Sequence, residues 1–277
     1  MTRRARLRRD PGLRRAPGHR RAPGRRLLAS AALALAVPLA VSGCEGNLSI
    51  GDPSGSPSGA ASGRSDGDAA SPLDNPDGTK PGLAAITSGG DRDEARTLIA
   101  KVATKGRGPK TGYDRDKFGY AWKDNAPGVP FARNGCDTRN DLLKRDGKDL
   151  RYRSGSDCVL ISLTLHDPYS GKTIHWKKAK ATTVQIDHVI PLSYSWQMGS
   201  SRWTKDKRES LANDPLNLIP VDGPLNGAKS DSGPASWLPP NKRIRCSYSV
   251  RFAQVAVKYD LAVTSADKKI MLDLCGG

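Results

Sequence analysis

The chain has 277 residues and carries 45 Lys and Arg against 28 Asp and Glu, a formal charge of +17. Its length excludes neither one domain with a tail nor two small domains. The charge cannot be read whole as a binding surface, because Arg3 to Arg26 supplies eleven arginines against Asp10 alone.

From Leu27 to Gly43 follow seventeen uncharged residues rich in Leu, Ala and Val. A basic n-region before an apolar h-region is the pattern of a signal peptide over residues 1–43. The small residues Val41-Ser42-Gly43 before Cys44 resemble a bacterial lipobox, which implies that Cys44 is the lipidated first residue of the mature protein. An uncleaved anchor is the competing reading, since the apolar run is just long enough to span a bilayer. Both put the remainder outside the cytoplasm, lipid-anchored at the cell membrane or secreted. Arg25-Arg26 also admits twin-arginine export. Residues 44–90 are mostly Gly, Ser, Pro, Ala and Asp, with almost no large apolar side chain, so they are expected to form a flexible tether.

Residues 91–277 are expected to form one domain, which keeps a charge of +11 from 32 Lys and Arg against 21 Asp and Glu. That excess suggests a polyanionic partner; a solvated basic surface serving solubility is the alternative. Four cysteines remain in this span, an even number in an exported chain, which favours two disulfides. No C-x-x-C pair is present, which argues against a zinc ribbon. Of the three connectivities, Cys136 with Cys158 and Cys246 with Cys275 are preferred because each closes one local unit.

Asp91 to Thr104 reads as an opening helix with Ala95, Leu98, Ile99 and Val102 on one face. A loop-rich stretch holding Tyr113, Phe118 and Trp122 leads to a short helix near Cys136 to Asp141. Val159 to Leu165 and Lys172 to Trp176, separated by Asp167-Pro168-Tyr169-Ser170-Gly171, read as a hairpin, and Val184 to Asp187 as a third strand. Helices are predicted near Tyr194 to Met198 and Lys205 to Ala212, then a strand at Leu216 to Ile219 and a helix opening at Pro224 or Leu225. Helices at about Lys242 to Tyr259 and Ser265 to Leu274 close the chain. The mixture predicts a single α+β domain without internal repeats.

Chemistry concentrates in two strings. Gln185-Ile186-Asp187-His188-Val189-Ile190-Pro191-Leu192 puts an Asp-His pair at the end of an apolar strand. Some 29 residues after Asp187, Leu216-Asn217-Leu218-Ile219-Pro220 forms a second strand, and Asn226-Gly227-Ala228-Lys229-Ser230-Asp231 opens a helix. Taken singly, Asn217 reads equally as a turn residue and Asn226 as a helix cap. In this order they resemble the HNH, or ββα-metal, nucleases, and most closely the family that includes the C-terminal domain of GmrSD-type restriction enzymes. The resemblance implies an α+β domain built around a strand-loop-helix from Asp187 to Lys229, flanked by helices and a hairpin. It implies a metal-dependent endonuclease acting on DNA, with RNA as a further substrate; no base-reading module is apparent in the sequence, so cleavage is expected to have low sequence specificity.

Hydrolysis of a phosphodiester requires an activated water, screening of the phosphate oxygens and a stabilised leaving oxygen. The resemblance implies His188, Asn217 and Lys229 as catalytic residues, with Asn217 expected to bridge the loop by hydrogen bonds rather than touch substrate, and Asp187 and Asn226 as ligands of one divalent cation. An all-oxygen set favours Mg²⁺ or Mn²⁺. An unperturbed His188 would lose its base form, and activity with it, below about pH 6. Arg139, Lys177, Lys178 and Lys229 are candidate phosphate contacts. His166 and His175, lacking a ligand-spaced partner, are expected to be structural, and Trp176, Trp196, Trp203 and Trp237 to pack. The alternative function is a non-catalytic polyanion-binding lipoprotein that keeps the fold. Nucleic acid is the expected partner, with the membrane reached only through the lipid and no protein partner.

Overall fold

In the computed structural model, which describes residues 68–276, the apolar periodicity after residue 88 becomes α1 (Gly89–Ala100). The Ser88 hydroxyl caps it by accepting from the Asp91 amide, and Ala95 and Ile99 face inward. α2 (Thr138–Asp146) begins at Asp137, whose carboxylate accepts from the Asn140 amide. The Cys136–Cys158 disulfide lies just before it.

Three strands follow: β1 (Gly147–Tyr152), β2 (Leu160–His166) and β3 (Thr173–Lys177), antiparallel in the order β1-β2-β3. The second sheet pairs β4 (Val184–His188) with β5 (Leu218–Asp222), setting Asp187 opposite Ile219 and His188 opposite Leu218. Between them run α3 (Leu192–Gln197) and α4 (Lys205–Asn213), and α5 (Gly223–Lys229) leaves β5 directly. α6 (Arg245–Tyr259) and α7 (Ser265–Gly276) are joined by the Cys246–Cys275 disulfide. Both disulfides have the connectivity preferred from sequence, and the elements make the expected mixed α+β domain.

Two apolar clusters hold these layers. Leu142 and Leu143 of α2 pack with Leu160, Leu163, Leu165, Trp176, Val184, Ile186 and Leu218, which joins the three-stranded sheet to the β4–β5 pair. The larger cluster surrounds α6, where Tyr248, Val250, Phe252, Ala253 and Val255 are fully buried. A helix apolar on most sides must be central, and each large side chain so buried contributes about 1.5–3 kcal/mol. Trp176 and Trp196 lie in these cores, Trp203 stacks on Tyr259, and Trp237 packs on Tyr169 and Tyr248. His166 and His175 bond to Thr173 and Thr164 across the hairpin, a structural role.

Two expectations are corrected. β1 was not foreseen, because Gly-Lys-Asp-Leu-Arg-Tyr lacks apolar alternation; it is a charged, half-exposed edge strand with an irregular register to β2. The packed unit also begins well before Asp91. Leu83 and Ile86 enter the core, the Ser247 hydroxyl donates to Ala84 O at 2.5 Å, and Gln254 Nε2 donates to Pro72 O at 2.6 Å. Gly78 turns at φ +74°, where a Cβ would stand 2.3 Å from the Leu216 Cα, so this turn requires glycine. The stretch reads as linker because backbone and side-chain polar bonds, rather than large apolar residues, fix most of it. The proposed signal peptide, Cys44 and the earlier part of the tether lie outside the described residues.

Candidate active site

β4 ends at the floor of a cleft of about 520 Å³ whose walls include Asp187, His188, Asn226, Arg115, Arg139 and Lys110. The strand is buried along nearly its whole length, so Ile186 and Val184 anchor it while the Asp-His pair meets the cleft at its end. The exit turn is fixed by Asn217, fully buried one residue before β5. Its Oδ1 accepts from the Ile190 amide at 2.8 Å, and its Nδ2 donates to Ile190 O and Leu211 O. Asn217 therefore braces the loop and does not line the cleft, in keeping with the loop-bridging part expected of it; its place among the catalytic residues is an indirect one.

His188 Nε2 lies 3.0 Å from the Ala212 carbonyl oxygen, a partner that can only accept. The ring proton is thus held on Nε2, and Nδ1 is left as the basic nitrogen. Trp122 stacks on the imidazole, with ring centres 6.1 Å apart and planes 17° from parallel. Burial pulls the His188 pKa from 6.5 to about 3, and the nearby Arg115 charge acts in the same direction. The ring is neutral throughout the physiological range.

Asp187 is held from behind. Tyr169, fully buried, donates its hydroxyl to Asp187 Oδ2 at 2.5 Å, and burial pushes the phenol pKa up so that it stays a donor. Lys229 Nζ lies 2.9 Å from Oδ1 and 2.8 Å from Oδ2, and donates to His188 O at 2.7 Å. The Lys229 side chain is 0% exposed. It cannot reach a phosphate in the cleft, which corrects its expected role; it is the buried counter-ion of Asp187. Burial raises the Asp187 pKa and lowers that of Lys229, and their pairing opposes both shifts.

α5 carries Asn226 to the cleft. Asp222 caps the helix by accepting from the Leu225 amide, Pro224 occupies the first turn, and a Cβ on Gly223 would sit 2.1 Å from Thr182 O. Asn226 Nδ2 donates to Gln185 Oε1 at 2.8 Å, which leaves the amide oxygen as the atom offered to a ligand. Arg139 lines the cleft while its guanidinium donates to Val184 O. Lys177 and Lys178 are exposed where β3 ends and lie outside the cleft wall.

Among the described residues there is no group of three His, Cys, Asp or Glu side chains able to hold a metal ion. The donors at the cleft are instead two hard oxygens. The Asp187 carboxylate is approached by Lys229, Tyr169 and the His188 backbone amide, and Asn226 adds its amide oxygen. That set suits a cation that keeps most of its waters and takes phosphate oxygens, the habit of Mg²⁺.

Trp122, Arg115, Tyr169 and Gln185 were not identified as site residues from sequence. The first three reach the site from loops distant in the chain, where no periodic pattern marks them. Gln185 alternates with Ile186 on β4 and faces the same side as Asp187's cleft partner Asn226, a signal that strand alternation could have supplied.

An antiparallel strand pair running straight into a helix, with Asp-His at the first strand's end and Asn on the helix over one cationic cleft, defines the HNH, or ββα, class. Residues 137–274 match the family of GmrSD restriction endonucleases, C-terminal domain. An uncharacterized secreted protein of Arthroderma benhamiae is 40% identical over 186 residues, which cover 65% of this chain and 84% of that protein. The chain belongs to the GmrSD C-terminal domain family. No solved structure matches it.

Proposed function

We propose that this protein is a metal-dependent endonuclease that hydrolyses phosphodiester bonds in nucleic acid, DNA foremost, with low sequence specificity. The observation that carries the reading is a neutral His188 with its proton fixed on Nε2 toward Ala212, beside Asp187 and Asn226 in a cleft flanked by Arg115, Arg139 and Lys110. Those cations draw in a phosphodiester without reading its sequence. His188 Nδ1 accepts a proton from a water, whose oxygen attacks phosphorus as the 3′-oxygen leaves. Asp187 and Asn226 would hold a divalent cation, Mg²⁺ or Mn²⁺, whose chemistry there would be charge neutralisation at the phosphate. Lys229 and Tyr169 keep the Asp187 carboxylate aimed, and Asn217 keeps the loop that carries Val189 and Ile190 in register.

The proposed organisation is a signal peptide over residues 1–43, lipidation at Cys44 and a tether leading to the nuclease domain, which puts the cleft outside the cytoplasm. The two disulfides, and the likeness to a secreted protein of Arthroderma benhamiae, support that location. The competing reading, a polyanion binder without turnover, accounts for the arginines but not for the orientation of His188. Incubating the full chain with supercoiled plasmid in Mg²⁺ and in EDTA separates the two. Nicking in Mg²⁺ alone is expected; binding without nicking under any divalent metal would leave the binder.

A further inference from the structure

Beside the cleft lies a second recess of about 200 Å³ that shares Arg115, Trp122, His188 and Leu192 with it. Its walls are largely apolar: Phe118, Leu192 and Ala212 are buried, and Tyr120 stands at the recess 84% exposed. Tyr120 is the most exposed of the large apolar side chains among the described residues. A tyrosine ring left in water beside an apolar hollow, next to a cationic cleft, is a surface that still lacks its partner.

The loop carrying these rings is fixed in place. Gly119 has φ +84°, where a Cβ would stand 2.4 Å from Glu209 Oε2, so only glycine fits. Trp122 itself takes φ +59°, a left-handed conformation rare for a bulky residue. It is held by the Thr138 amide donating to Trp122 O, by the Thr138 hydroxyl donating to Lys123 O, and by the Lys123 amide donating to Asn213 Oδ1. The Lys123–Glu209 ion pair closes the loop at 2.5 Å.

We propose that this recess receives an unpaired nucleobase of the substrate, stacked against Tyr120, while the adjoining phosphate sits beside His188 and Arg115. The inference rests on the nuclease reading and extends it to the substrate class. A ligand that fills both spaces must join an anion to a flat, weakly polar ring, which is the form of a nucleotide. Arg115 borders both spaces and serves the junction. A base can enter only when it has left its duplex partner, so the preferred substrate is single-stranded or locally opened nucleic acid.

Tyr120 is at the surface, so its replacement leaves the core intact. Full-length wild type, Tyr120→Ala and Tyr120→Phe are compared for binding in EDTA, without turnover, to a short single-stranded deoxyoligonucleotide, its duplex, and an abasic strand of equal charge. Tyr120→Ala should weaken single-strand binding about tenfold, the usual effect of losing one base–aromatic stack. It should leave duplex and abasic binding unchanged, and Tyr120→Phe should bind as wild type. Single-strand affinity equal to wild type in Tyr120→Ala, or an equal loss on all three probes, would overturn the proposal while leaving the nuclease reading standing. Failure of wild type to bind any of the three would remove both.

Discussion

Removing the charge of Lys229, the buried counter-ion of Asp187, should destabilise the fold rather than weaken DNA binding directly. The side chains of Lys229 and Asp187 are 0% and 5% exposed, so solvent screens their interaction little. Lys229→Met keeps the volume and removes the charge. Asp187 is then left buried with Tyr169 as its remaining side-chain donor. Breaking one side of such a pair costs about 3–5 kcal/mol. In a domain of this size each kcal/mol lowers Tm by about 2–4 °C, which gives a fall of roughly 6–20 °C. Thermal unfolding of the full chain followed by near-ultraviolet circular dichroism measures it. The double variant Lys229→Met/Asp187→Asn should recover part of the loss, because no unpaired charge then remains inside. A Lys229→Met chain as stable as wild type but weaker on DNA would refute the reasoning and restore the phosphate contact.

His188 is pulled from 6.5 to about 3 by burial, so its base form persists as pH falls and kcat/KM should hold to about pH 5, where an unperturbed histidine would already have lost it. The same depression means that stability is full above about pH 6.5 and is lost as pH falls toward 3, since only the unfolded chain takes up the proton; urea midpoints across that range test the sign, and an acid limb of kcat/KM near pH 6 would show a solvated ring. Replacing Cys246 and Cys275 by serine opens the 29-residue link between α6 and α7 and should cost about 2–4 kcal/mol in urea unfolding. Limited proteolysis should leave a resistant core that includes Pro72, Leu83 and Ile86; a core starting near Asp91 would mean that their contacts do not hold the segment.

The fold was legible where burial writes a pattern. Leu160 to Leu165, the β4 run and the amphipathic α1 each carry the period of their element, and the Gly/Pro/Asp punctuation at residues 167–171 marks the hairpin turn. β1 was not, because an edge strand needs no apolar face, and the segment from Asp68 to Ser88 was not, because hydrogen bonds and turns rather than apolar residues fix it. At the site, the order Asp187, His188, Asn217, Asn226 was visible, but the role of each depends on direction. Lys229 follows Asn226 by three positions, yet its side chain passes beneath β4 to Asp187 while Asn226 faces the cleft. Asn217 bridges the loop, as its place in the string suggested. Trp122, Arg115 and Tyr169 join the site only through tertiary folding, which no local pattern announces.

The central claim, that His188 acts as the general base of a phosphodiesterase, is tested most directly by the turnover of His188→Ala on plasmid DNA in Mg²⁺, with DNA binding measured on the same preparation. Loss of the base should lower turnover by about 10²- to 10⁴-fold while affinity stays near wild type. Cleavage by His188→Ala at the wild-type rate would contradict the account.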